Sequence, residues 1–114
     1  MTVVIKRVYD EPDRLDGFRV LVDRIWPRGL SKDSAHLDEW VKDAAPTGEL
    51  RAWFGHDPAR FDEFAARYRK ELAANPAVEL LRELALSHRK VTLLYGARDT
   101  EHNQAVVLRD YLTK

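Results

Sequence analysis

The chain has 114 residues, 19 lysines and arginines against 19 aspartates and glutamates, 45% hydrophobic and 33% charged residues, and no cysteine. That length holds one small hydrophobic core, residues 1–114 as a single domain, and the balance is that of a folded globular chain. The zero net charge offers nucleic acid or an acidic membrane no global positive field. The missing thiols exclude disulfides, cysteine nucleophiles and thiolate metal centres, and fit a cytoplasmic protein.

In chain order, Met1 to Arg7 turns charged too soon for a signal peptide, and no apolar run approaches the ~20 residues of a membrane span. Thr2 to Val8 predicts a first strand, Asp10 to Gly17 a polar loop, and Phe18 to Asp23 a second strand. The connection is short for a helical crossover, which leaves antiparallel pairing of these two strands open. Ser31 caps a short helix, and Leu37, Trp40, Val41, Ala44 and Ala45 continue at helical spacing up to Pro46, with a third strand here as the competing reading. Glu49 to Phe54 predicts a helical turn. Asp57-Pro58 is a cap with proline at the first helical position, and the helix it opens carries Phe61, Phe64, Ala65, Tyr68 and Leu72 on one stripe as far as Asn75-Pro76. Val78, Leu81, Leu84 and Ala85 mark another helix, and Lys90 to Tyr95 a buried strand closed by Gly96. Asp99 or Thr100 then caps a last helix with Ala105, Val106, Leu108, Arg109 and Leu112 inside. The fold class is α/β, a short, mainly parallel sheet with helices packed on it.

Two strand exits carry the chemistry. In Arg19-Val-Leu-Val-Asp-Arg-Ile-Trp-Pro-Arg-Gly29 a buried run ends in a rigid turn that releases Asp23, Arg24, Trp26 and Arg28 together. In Tyr95-Gly-Ala-Arg-Asp-Thr-Glu-His-Asn103 an apolar strand, a glycine and an Arg-Asp pair lead into a helix start. Ligands of open α/β sheets sit outside the carboxyl ends of the strands, where a helix N-terminus also attracts negative charge. Arg24, Arg28 and Arg98 therefore clamp a small anionic ligand, with Trp26 as a wall, Asn103 as an orienting amide and Asp23 as the acid/base group. His56, between Trp53-Phe and the Asp57 cap, either serves as a second acid/base group or packs on Phe61. Asp23 and Asp99 are too weak a pair to predict magnesium. No Asp-x-Asp, His-x-His or His-Glu-x-x-His spacing occurs, so neither metal nor cofactor is expected.

The set Arg7-Val-Tyr9, Gly17-Phe-Arg-Val-Leu-Val-Asp-Arg-Ile-Trp-Pro-Arg-Gly29, Ala45-Pro46, Leu50-Arg-x-Trp-Phe-Gly-His-Asp57 and Val91-Thr-Leu-Leu-Tyr95 with Asp99 and Asn103 resembles the YeaO-like branch of a bacterial domain-of-unknown-function family. The resemblance runs over almost the whole chain. It implies a compact cytoplasmic α/β domain and no established reaction. Longer relatives resemble a cysteine-bearing version of the last strand-loop-helix unit, whose thiol chemistry does not carry over to a chain without cysteine.

The expectation is a site for a small anionic or nucleotide-like ligand, with acid/base catalysis left open. The opposing class is a non-catalytic interaction module or homodimer in which Trp26, Trp40 and Trp53 pack and the charges form a structural cluster. A nucleic-acid patch built from Arg24, Arg28, Lys32 and Trp26 ranks below both, since no nucleic-acid-binding motif accompanies it.

Overall fold

A computed structural model describes residues 2–114. Four strands, β1 (Thr2–Arg7), β2 (Phe18–Leu21), β3 (Glu39–Trp40) and β4 (Lys90–Tyr95), form one all-parallel sheet in the order β1-β4-β2-β3. β4 is central because its run from Val91 to Tyr95 is buried throughout, the burial that a strand covered on both faces requires. Its register sets Leu93 opposite Ile5 on one side and Val20 on the other.

Alternation along β4 divides the interior. Val91, Leu93 and Tyr95 join Val3, Val20 and Val22 in the main core, whereas Leu94 joins Leu21 and Val8 on the opposite face. The helices α2 (Gly48–Phe54), α3 (Phe61–Ala73), α4 (Ala77–Ser87) and α5 (Gln104–Thr113) supply the main core with Leu50 and Phe54, Phe64 to Leu72, Val78 to Ala85, and Ala105 to Leu112. The second face is covered by connecting segments, through Trp26, Leu30 and Leu37.

β1 and β2 do not pair, for β4 lies between them and all three run the same way. A short connection, with a turn at residues 8–10 and one 3-10 turn (Arg14–Asp16), achieves this crossover without an α-helix. It is pinned where the Thr92 hydroxyl donates to the Asp16 carbonyl at 2.6 Å and where the buried Arg19 guanidinium bonds the Asp16 carboxylate. Gly17 then passes so close to β4 that a Cβ would lie 2.4 Å from the Lys90 carbonyl oxygen, at a φ of +68° that also favours glycine.

Two expectations are corrected here. The helix after Ser31 is only α1 (Lys32–Ala35). Leu37 to Ala45 is not helical, but holds β3 and a 3-10 turn (Lys42–Ala44). The last helix is capped by Asn103, whose Oδ1 accepts from the Val106 N–H at 3.1 Å, and its inward valine is Val107 rather than Val106. Asp99 instead closes the preceding turn, accepting from the N–H groups of Glu101 and His102 at 2.9 and 3.0 Å. No helix among the described residues is long and apolar enough to cross a membrane.

Candidate functional site

The exits of β2 and β4 are tied together by one carboxylate. Past β2, Asp23 Oδ2 accepts the Gly96 N–H at 2.9 Å and its Oδ1 accepts the Gln104 side-chain amide at 2.5 Å. Its carbonyl oxygen takes the Trp40 indole N–H at 2.7 Å, so backbone and side chain are both fixed. Gly96 has to be small, since a Cβ there would stand 2.8 Å from Asp23 Oδ2. Burial pushes the Asp23 carboxyl from an ordinary 3.8 up to about 6, and the Gly96 and Gln104 hydrogen bonds with the positive fields of Arg51 and His56 only partly offset it.

Asp23 forms part of the wall of a cavity of about 380 Å³. Its other polar walls are Arg24, Arg51, His56, Asn103 and Gln104, and Ile25, Pro46, Phe54, Phe64 and Ala97 are among its apolar ones. Arg24 lies across the chain before α2, its Nε donating to the Pro46 carbonyl at 3.1 Å and its Nη2 to that of Ala45 at 3.0 Å. Arg51 comes from α2, a helix opened by Thr47, whose hydroxyl accepts the Leu50 N–H and donates to Glu71 at 2.7 Å. The Arg51 Nε is buried and has no hydrogen-bond partner. Among the described residues neither Arg24 nor Arg51 pairs with a carboxylate.

His56 follows the C-cap Gly55, and both adopt the left-handed conformation at φ 56°. It is exposed, with its ring 6.3 Å from that of Phe54, and it is His102 that packs edge-on against Phe61 at 5.2 Å. Asn103 is buried and spent on structure, since its Nδ2 also donates to the Asp99 carbonyl at 2.8 Å.

Of the residues singled out in the sequence, Asp23, Arg24, His56 and Asn103 line this cavity, and Trp26, Arg28 and Arg98 do not. Trp26 belongs to the smaller core, its indole N–H donating to the Leu30 carbonyl at 2.6 Å. Arg28 and Arg98 are exposed. Arg51 and Gln104 line the cavity and escaped the sequence reading. The signal for Arg51 was its position one helical turn before Phe54, which places the two on one face. No three metal-ligating side chains gather among the described residues.

An uncharacterised protein of Mycobacterium tuberculosis is 46% identical to this chain over 110 residues, covering 96% of this chain and 92% of its own length. The uncharacterised protein YeaO of Escherichia coli is 42% identical over 113 residues, covering 98% and 97%. A segment of 73 residues is 38% identical to a protein nucleotidyltransferase YdiU of Rhodopseudomonas palustris, but it covers 64% of this chain and only 14% of that protein. No solved structure matches the chain. A family profile described as the inactive DUF488-N3 subclade matches residues 2–114, and with YeaO similar over nearly its whole length the chain belongs to that subclade.

Proposed function

We propose that this protein binds a small anionic metabolite in the cavity between the β2 and β4 exits and does not turn it over. The observation that carries the reading is the pair of guanidinium groups lining this cavity, neither of them paired with a carboxylate among the described residues and one with a buried Nε that bonds nothing. A buried N–H without a partner is costly, and an anion that reaches it recovers that cost as affinity. Guanidinium forks suit carboxylate and phosphate, and Arg24 is already held by the Ala45 and Pro46 carbonyls, so little freedom is lost on binding.

Binding without turnover is supported by the description of the subclade as inactive and by the lack of any thiol nucleophile. The tryptophans favour the pocket over an interaction face. Trp40 packs edge-on against Trp26 at 5.3 Å beside the smaller core, whereas Trp53 packs on the main core, so the three do not form one face. The cysteine-free composition supports a cytoplasmic setting for this function.

The test is thermal unfolding with sodium sulfate against sodium chloride at matched ionic strength, for the wild type and Arg51→Gln. Sulfate also stabilises proteins by exclusion from their surface, and that part is common to both proteins. The expected result is an additional rise in Tm for the wild type alone, because a ligand of the folded state stabilises by mass action. Equal sulfate responses in the two proteins overturn the reading.

A further inference from the structure

A site for a simple anion leaves one wall unexplained. Asp23 brings a negative charge into the same cavity as Arg24 and Arg51, yet among the described residues it forms no ion pair. It takes only two neutral donors, the Gly96 N–H and the Gln104 amide, one on each oxygen. Each carboxylate oxygen retains a free lone pair. An anion placed against the two arginines would be repelled by this group at short range.

We infer that the ligand is a small zwitterion, an α-amino acid or a similar amine-bearing acid, whose carboxylate lies on Arg24 and Arg51 and whose ammonium lies on Asp23. The inference rests on the anion-binding reading above and specifies the ligand of that site. The cavity holds unmet charge of both signs, and a zwitterion is the small molecule that brings both complements at once. The raised proton affinity of Asp23 has the same origin, a carboxylate desolvated without a cation bonded to it, and a ligand ammonium supplies that cation.

The surroundings of Asp23 leave this place to the ligand. Arg24 is turned to the carbonyls of Ala45 and Pro46, the Tyr68 hydroxyl donates to the Ala44 carbonyl at 2.5 Å, and His56 stands exposed. Arg51 influences the carboxylate through its field without bonding it. The remaining walls at Ile25, Pro46, Phe54 and Phe64 are apolar and suit an aliphatic or aromatic side chain. A cavity of about 380 Å³ lies within the range of small-molecule sites.

Calorimetric titration at neutral pH and constant chloride distinguishes the cases, using three matched pairs: L-alanine and propanoate, L-leucine and isocaproate, L-phenylalanine and phenylpropanoate. Side-chain size is then not the deciding variable. In the wild type the best-fitting amino acid is expected to bind roughly tenfold or more tighter than its des-amino partner, the worth of one charge-assisted hydrogen bond. In Asp23→Asn that preference disappears while the des-amino acid binds as well as before or better. Arg51→Gln weakens both members of the pair. If the des-amino acids bind the wild type as tightly as the amino acids and lose affinity in Arg51→Gln, the zwitterion inference is overturned and the anion reading stands. If no acid of either kind binds and sulfate gives no Arg51-dependent shift, both fall.

Discussion

A carboxylate held at the end of β2 by a backbone amide and a glutamine, with no cation bonded to it, destabilises the fold wherever it is ionised. The sign follows from proton binding. Between the ordinary 3.8 and the folded-state value of about 6, the folded protein holds a proton on Asp23 that the unfolded chain has released. This group's contribution to stability is therefore fully present below the lower value and is lost as pH rises through the upper one, a change on the order of 2–3 kcal/mol. Asp23→Asn keeps an oxygen for the Gly96 N–H, and the Gln104 amide can turn to accept from the new amide. The variant should therefore be more stable than the wild type near neutrality by up to about that amount and should lack the decline, which urea unfolding at mildly acid and neutral pH checks. Asp23 and Arg24 were legible as cavity residues because they follow directly on a buried run whose end fixes where they emerge. Arg28 and Arg98 were not, since the turn carrying Pro27 and Gly29 and the one closed by Asp99 lead them out to solvent. Arg51 was missed because a short helix distant in sequence delivers it.

At the level of elements, local signals sufficed wherever a residue acts on its own neighbours. Asp57 behaves as read: its Oδ1 accepts the Ala59 N–H at 3.0 Å in the 3-10 turn Pro58–Arg60 that leads into α3. Asp57→Ala should cost roughly 0.5–2 kcal/mol in denaturant unfolding and leave the sulfate response unchanged. Tertiary pairing defeated the reading of Leu37 to Ala45. The residues recur at helical spacing, but Val20 pairs with Glu39 and Leu21 with Trp40 across the sheet, and a strand of two residues has no period of its own to read. The same distance in sequence hid the role of Gly17, a turn residue whose lack of a side chain is set by Lys90. Gly17→Ala should destabilise by more than the ~1 kcal/mol usual for a glycine position, because its Cβ would meet backbone that cannot yield without shifting β4. Thermal unfolding of the variant measures this, and a Tm equal to that of the wild type would remove the close approach as a constraint.

Across the whole molecule, the sheet order makes the fold depend on a strand that comes late in the chain. β1 and β2 meet only through β4, so neither N-terminal strand has its main neighbour until residues 90–95 are in place. The connections that must close are long-range, and closing them is compensated only when the apolar run of β4 is buried between its partners. All four longer helices pack on one face of this sheet, so the main core is shared and not divisible into separately stable parts. Two leucines separate this dependence from mere hydrophobicity. Leu93 is fully buried at the centre of β4, and Leu86 on α4 is 74% exposed. Leu93→Ala should lose about 2–5 kcal/mol, the range for a large aliphatic deleted from a packed core, while Leu86→Ala should stay within about 0.5 kcal/mol of the wild type. Because the exit of β4 also supplies the Gly96 N–H to Asp23, loosening β4 should in addition weaken the sulfate response under conditions where Leu93→Ala remains folded. Urea unfolding with the sulfate titration on the same variant reads both quantities. A Leu93→Ala protein that loses stability but binds sulfate as the wild type does would show the cavity to be held by β2, α2 and α5 without the central strand.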